Sequence, residues 1–402
     1  MNDDERKGAG KMSRSSSLRR ELVGAILLTS LLFAAAPSWA AELSEAWTSV
    51  RALGMGNAYT AVVADSNALF YNPAGLARIS GYHWQVFDPR LGLNGPEGLS
   101  SAQNFAGLAS SSDLAGDLKK LYGKRIWLGG GAKTAITVPG FGIAGFTSTE
   151  AGAFMTNPAY PTMNLNYFFD YGISMGLAFD LIPEFFKVGV VGRRINRTGT
   201  TLPIGPSVLA TMNTSTLGNE LKSRGTGYGC DLGMVFTVPG PIKPSLSFVW
   251  KDAGNTQFSH DEGAHAPNPI QSNMIVGASF MIDTPLITIT PAIDYNYANR
   301  ADMQLGKKLN LGIELDLPLI DLRAGLHQGY YTAGIGLGLG PLALDVATYG
   351  VELGEYPGQL EDRRYMAQLT FQLGFDPGLF GFGGSGPGGK GGGEHRRLKQ
   401  RR

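Results

Sequence analysis

The chain has 402 residues, 43% of them hydrophobic, with a formal net charge of +1, 57 glycines and one cysteine. The near-neutral charge lacks the basic signature of a nucleic-acid partner, the single cysteine excludes an internal disulfide framework, and a mean hydropathy near zero argues against a bundle of spanning helices. A membrane barrel stays open, because its wall needs an apolar residue only at every second position.

At the amino terminus Arg14, Arg19 and Arg20 precede an apolar run over 22–36, and Ser38-Trp39-Ala40 follows as a small-x-small site. This is the layout of a secretory signal, and the run is shorter than the ~20 residues of a spanning helix. Cleavage after Ala40 is expected, leaving Ala41 first. An uncleaved anchor is the plainer alternative, and Met12 is an alternative start. Residues 41–80 do not read as strand and form a separate segment ahead of the barrel.

From residue 81 onward, period-2 alternation dominates. Phe169, Tyr171, Ile173, Met175, Leu177, Phe179 and Leu181 alternate with Asp170, Gly172, Ser174, Gly176, Ala178 and Asp180. The pattern recurs over 228–236, 309–317 and 365–375. A soluble barrel also alternates, but its polar face is richer in Lys and Glu; here that face is small and mixed, as suits a lumen. Proline and glycine punctuate the strands at Pro139-Gly140, Pro183, Pro239-Gly240-Pro241, Pro285, Pro318 and Gly340-Pro341, where a ladder cannot continue.

Longer connections alternate with these turns near 91–125, 151–162, 200–223, 255–270 and 299–305, with shorter ones near 328–330 and 356–361. The predicted strands are 81–90, 126–138, 141–150, 163–181, 186–199, 224–238, 243–254, 271–283, 286–298, 306–317, 319–327, 331–340, 342–355 and 362–375. They make an all-β, 14-stranded antiparallel transmembrane barrel over 81–375. Both termini are expected on the side of the short turns, the periplasmic side of an outer membrane. In the third strand Phe146 falls out of phase with Phe141 and Ile143, which suggests a glycine-assisted bulge or merely a relaxed strand. A helix over 113–122 is expected in the first long connection. Tyr82, Trp84, Trp127, Tyr167, Trp250, Tyr295, Tyr297, Tyr330, Tyr331, Tyr356 and Tyr365 suit interfacial girdles.

Residues 41–80 carry Gly54-x-Gly56, then Asp65-x-x-x-Leu69, then Phe70-Tyr71 and Asn72-Pro73-Ala74-Gly75-Leu76. This run resembles the amino-terminal hatch of the FadL-like long-chain fatty acid transporter superfamily, which includes PorV-like secretion-associated barrels. Leu322-Arg323-Ala324-Gly325 and Tyr330-Tyr331-Thr332-Ala333-Gly334 extend the likeness to PorV-like chains. The resemblance implies a barrel plugged by a hatch that includes Asn72, Pro73, Ala74 and Gly75. It also implies a hydrophobic, fatty-acid-like substrate that enters from outside and leaves sideways through a gap at the third strand. In PorV-like members it implies instead a scaffold or shuttle for exported proteins. From the residues themselves, Pro73 fixes a turn, Asn72 bonds backbone locally, and Phe70 and Tyr71 bring apolar surface into a polar lumen. A purely structural plug is the competing interpretation.

Asp170, Asp231, Asp294, Glu314, Arg323 and Asp345 fall on the inward phase, where charges most often tie plug to wall. His260-Asp261-Glu262-Gly263-Ala264-His265 has metal-ligand residue types but reads as a solvated loop. His327 points to the lumen without a nucleophile–acid set, so no enzymatic activity and no cofactor are expected. Cys230 lies on the apolar phase. Beyond Phe375, a Gly-rich stretch and a basic tip over 376–402 read as a disordered tail. The expected partners are outer-membrane lipid and a hydrophobic small molecule, or exported proteins.

Overall fold

The computed structural model describes residues 44–95, 100, 123, 125–156, 162–205 and 220–375. The expected signal peptide, the 113–122 helix and the 376–402 tail lie outside the described residues. One antiparallel sheet contains sixteen strand segments and closes on itself. Two of its strands are each interrupted once, so the wall has fourteen. They are β1 (Tyr82–Phe87 and Arg90–Leu93), β2 (Arg125–Val138), β3 (Phe141–Thr156), β4 (Thr162–Ile182), β5 (Phe186–Ile204), β6 (Arg224–Thr237), β7 (Ser245–Lys251), β8 (Asn273–Ser279 and Ile282–Asp283), β9 (Thr288–Tyr295), β10 (Leu309–Asp316), β11 (Ile320–His327), β12 (Tyr330–Leu339), β13 (Leu342–Glu352) and β14 (Glu361–Phe375). Each pairs with its sequence neighbour. β1 closes the ring by pairing with β14 through Tyr82 opposite Phe375 and with β2 through His83 opposite Thr137.

The strand count matches the expectation from alternation, while several boundaries move. β3, β4 and β5 run further towards the loop end than predicted, which shortens the expected 151–162 and 200–223 connections. β1 continues to Leu93 after a break at Asp88-Pro89. Proline has no N–H to give the ladder, and Asp88 turns inward to accept from Gln368 Nε2 at 2.6 Å and Thr370 Oγ1 at 2.7 Å.

Of the two readings of the third strand, a bulge or a relaxed strand, the bulge is absent. β3 pairs residue by residue with β2 and with β4 along its length, without a shift in register. Phe146 shares the inward face with Gly142, Ala144 and Ser148; it is a luminal aromatic, and the wall around β3 is hydrogen-bonded without a gap. Trp127 also departs from expectation. It turns inward, 4% exposed, beneath the Arg364 guanidinium 4.2 Å from its ring centroid.

The outer surface is apolar. On β4 alone Ile173, Met175, Leu177, Phe179 and Leu181 stand outward and exposed, and Cys230 on β6 is exposed too. Tyr82, Trp84, Tyr331 and Tyr365 stand outward as well. A soluble protein does not leave such a continuous belt in water, so the barrel spans a membrane. Leu177→Lys places a charge in that belt and is expected to destabilise the inserted barrel by about 2–4 kcal/mol near the bilayer midplane. Refolding into vesicles against a urea series measures the loss; an unchanged midpoint would rule out lipid contact at Leu177.

Candidate functional site: a segment packed in the lumen

Residues 44–80 lie inside the barrel, and small residues on both surfaces allow this. Gly54 stands against Gly334, where an added Cβ would come 3.1 Å from the Gly334 Cα. Gly56 has φ +63, a left-handed conformation that suits glycine, and an added Cβ would lie 2.6 Å from the Leu326 carbonyl oxygen. Gly233 and Gly189 form the seat of Asn72-Pro73: a Cβ on Gly189 would meet the Pro73 carbonyl carbon at 2.5 Å. Gly54 and Gly56 meet the wall at Gly334 and Gly325, and the Asn72-Pro73 turn meets it at Gly189 and Gly233, so two close backbone contacts seat the segment.

The segment begins with a short helix, α1 (Val50–Gly54), and ends in two 3-10 turns, Ser66–Leu69 and Pro73–Arg78. Each turn has its own side-chain cap. Asp65 accepts from the Asn67 amide at 2.8 Å, and Asn72 Oδ1 accepts from the Ala74 amide at 3.1 Å. Pro73 occupies the first position of its turn, where a missing N–H costs nothing. Asn72 Nδ2 also donates to the Thr60 carbonyl at 2.9 Å. The Asn-Pro-Ala motif is therefore a cap, a turn start and a wall contact at once.

Polar bonds tie this segment to the wall at every level. Asp294 on β9 accepts from the amides of Tyr59 and Thr60, each at 2.9 Å, and from Thr60 Oγ1 at 2.8 Å. Thr332 donates to the Gly54 carbonyl and accepts from the Gly56 amide, both at 3.0 Å. Gln368 accepts from the Val50 amide at 2.9 Å. Arg78 donates to the Ala61 carbonyl at 2.6 Å and to Thr237 Oγ1 at 2.7 Å. Arg51 forms a bidentate pair with Glu314 at 2.9 and 2.6 Å, and Glu314 also accepts from Arg323 at 2.6 Å. Burial alone would lower the Arg51 guanidinium, but the Glu314 and Asp65 carboxylates outweigh it and raise the group well above its usual range. Arg51 thus stays a cation.

All six inward charges expected from the strand phase are in the lumen. Asp170 pairs with Arg197, Asp231 with Arg193, and Glu314 and Asp345 with Arg323, while Asp294 holds the segment amides. Inward cations are legible in the same way: Lys133, Arg193, Arg197 and Lys251 fall on the inward faces of their strands, as those acids do. Arg51 and Asp88 had no periodic signal, since one is in the irregular segment and the other at a strand break.

At the centre lies an aromatic cluster. Phe70 meets Phe146 edge-on at 5.2 Å and Trp47 at 6.0 Å, and Tyr59 meets Tyr71 edge-on at 5.2 Å. Cations face these rings: Arg90 lies 4.0 Å from the Trp47 centroid and Arg193 5.5 Å from Phe70, within the range of cation–π attraction. Burial holds the Tyr71 phenol above its ordinary range, so it stays neutral and both accepts from the Ser49 amide at 3.1 Å and donates to Asn57 at 2.9 Å. Between the segment and the wall, a cavity of about 170 Å³ reaches the short turns at Pro318 and Pro341 and is lined by Arg51, Asp65, Gln85, Arg323 and Asp345 among others.

Other expected candidates stand apart from this site. His260 bonds the Gly263 carbonyl at 3.1 Å, and His265 faces Glu220 at 3.1 Å. His327 is buried against Asn310 at 3.1 Å and the Tyr349 ring. The first described residue, Ser44, lies beside Arg197 and Asn268 towards the loop end, whereas Phe375 stands at the short-turn end.

No family model matches the chain, and no curated protein matches it. Solved structures do. The chain is similar to the Ralstonia pickettii toluene transporter TbuX, at 9% identity and TM-score 0.48, over 83% of this chain and 99% of that one. It is similar to the CymD monoaromatic hydrocarbon channel at 9% identity and TM-score 0.46, over the same shares. It is also similar to a Pseudomonas aeruginosa FadL homologue at 10% identity and TM-score 0.30, over 83% of this chain and 98% of that one.

Proposed function

We propose that the protein is a passive outer-membrane channel for hydrophobic small molecules, with residues 44–80 acting as its hatch and no covalent step or cofactor involved. The observation that supports this most is the aromatic cluster in the middle of a polar, ion-paired lumen. The wall contributes Phe146 at a position where small residues otherwise alternate, and the segment contributes Trp47, Phe70 and Tyr71, all buried. Once the segment yields, such a cluster exposes apolar surface to a solute that a lumen of charges alone would reject. Non-covalent bonds hold the segment, so it is able to yield while the wall keeps its ladder. On this reading the long connections face outside and the 170 Å³ cavity faces the periplasm. The unbroken β3 ladder favours exit along the lumen over exit through the wall.

The test is to purify the barrel from outer membranes in mild detergent and identify co-purified small molecules by mass spectrometry. Phe70→Ala with Tyr71→Ala is the control. Truncating a buried Phe removes about 3–5 kcal/mol of packing, so the variant is expected to lose a stoichiometric hydrophobic ligand while keeping heat-modifiable mobility on cold gels. An empty parent barrel that captures exported proteins would instead support the scaffold role.

A further inference from the structure

Towards the loop end of the lumen, one guanidinium holds three separate parts of the chain. Arg197 on β5 is fully buried. Its Nε and Nη2 donate to Asp170 on β4 at 2.8 and 2.7 Å, which fixes the plane of the group against the wall. Its Nη1 then donates to two acceptors outside the wall: the Asn268 carbonyl at 2.9 Å, in the 252–272 connection, and Ser44 Oγ at 3.2 Å, at the start of the luminal segment. The guanidinium also lies 4.7 Å from the Phe168 ring centroid and 4.9 Å from that of Phe258, which belongs to the same connection.

That connection is a built cap. Bridges at Gly227 opposite Phe258 and Thr256 opposite Ile270 shape it, and Phe258 and Ile270 are buried. Asn268 Oδ1 accepts from Thr200 Oγ1 on β5 at 2.8 Å. Just before the connection, at the end of β7, Lys251 donates to Glu45 at 3.0 Å. Two wall residues beside the two ends of the cap, Arg197 and Lys251, are therefore both bonded to residues 44–45.

We propose that Arg197 is a positioning residue that couples the 252–272 cap to the start of the luminal segment, so that loosening one loosens the other. The proposal rests on reading residues 44–80 as a hatch. The physical reason is shared burial. Lifting the cap removes the Asn268 acceptor and the Phe258 ring, and admits water to the guanidinium. Water then competes for the remaining bond to Ser44. The linkage is reciprocal, so release of Ser44 weakens the cap by the same factor. A lysine at 197 keeps the charge but not the planar fork that serves Asp170 and Nη1 acceptors together.

Hydrogen exchange on the full barrel in detergent tests the coupling without reference to transport. Asn268→Ala frees the cap from Thr200 and leaves Arg197 in place. The Ser49 and Val50 amides, in the luminal segment, are expected to exchange about 2- to 10-fold faster, the most that loss of one ordinary hydrogen bond can transmit. Arg197→Lys is expected to speed both cap and segment amides. If Asn268→Ala speeds the cap amides alone, the proposal is wrong. Thr200→Cys with Asn268→Cys, in a Cys230→Ser background, pins the cap to β5 when oxidised. The oxidised form is expected to exchange Ser49 and Val50 more slowly than the reduced form and to pass less N-phenyl-1-naphthylamine into vesicles. Equal exchange in the two forms would overturn the coupling. Failure of the reduced and parent barrels alike to pass the probe would overturn the channel reading and leave the exchange result to decide on Arg197.

Discussion

Gly233→Val is expected to unseat the Asn72-Pro73 turn while leaving the barrel closed. An added Cβ at Gly233 would run into Asn72 Oδ1 and stand 2.7 Å from Pro73 Cδ and 3.0 Å from Pro73 N. The Pro73 ring and backbone nitrogen cannot rotate out of the way, so the turn has to lift. The wall is not under the same pressure, because Gly233 pairs with Gly189 and Val249 on its two sides. Overpacking of this kind costs about 1–3 kcal/mol, and at about 1.4 kcal/mol per decade this raises the unseated population roughly five- to a hundredfold. Planar-bilayer conductance reads the population directly: the variant is expected to open more often than the parent. Gly192→Val, on the same sheet but with open space where its Cβ would go, is the control and is expected to behave as the parent does. Equal conductance in parent and Gly233→Val would mean that the seat has no part in closing the lumen.

Arg323→Met is expected to be the most destabilising single change in the lumen. Arg323 is 2% exposed and serves Glu314 at 2.6 Å, Asp321 at 3.0 Å and Asp345 at 2.6 Å. Removing it leaves carboxylates with their desolvation cost and without that cation. Breaking a buried pair from one side costs about 3–5 kcal/mol. Glu314 retains Arg51, so the loss falls hardest on Asp321 and Asp345. Adding Asp345→Asn is expected to recover part of the deficit, since it removes a carboxylate whose ion pair is with Arg323; the non-additivity of the cycle measures the coupling. Arg51→Met is expected to cost less, because its side chain is 23% exposed and water is nearer. Urea unfolding in micelles, followed by tryptophan emission, orders the three. If Arg323→Met is no worse than Arg51→Met, burial is not what makes the cluster matter.

Strand number and face were legible in the residues because a barrel wall imposes one simple period. Phe169 to Leu181 announce an outward face and Asp170 to Asp180 an inward one, and the prolines mark where ladders end. The inward acids are legible from the sequence for the same reason. The same parity places Lys133, Arg193 and Arg197 on the inward face beside those acids. Phe146 shows the limit of that period: its bulk suggested a slipped phase, yet the ladder is regular and the ring faces in. The exception to alternation was a packing requirement of the segment, not of the strand.

The sequence by itself therefore determined the membrane wall, its strand count, its closed antiparallel order and the presence of an irregular segment ahead of it. Only the tertiary structure decided where that segment sits and what holds it. The Asn72-Pro73 turn meets Gly189 and Gly233 more than a hundred residues away, and Arg51 finds Glu314 across 263 positions. No local period links such partners. Alternation is set by neighbours along one strand, whereas the fit of a folded segment into a lumen depends on which distant glycines and charges ring closure brings face to face.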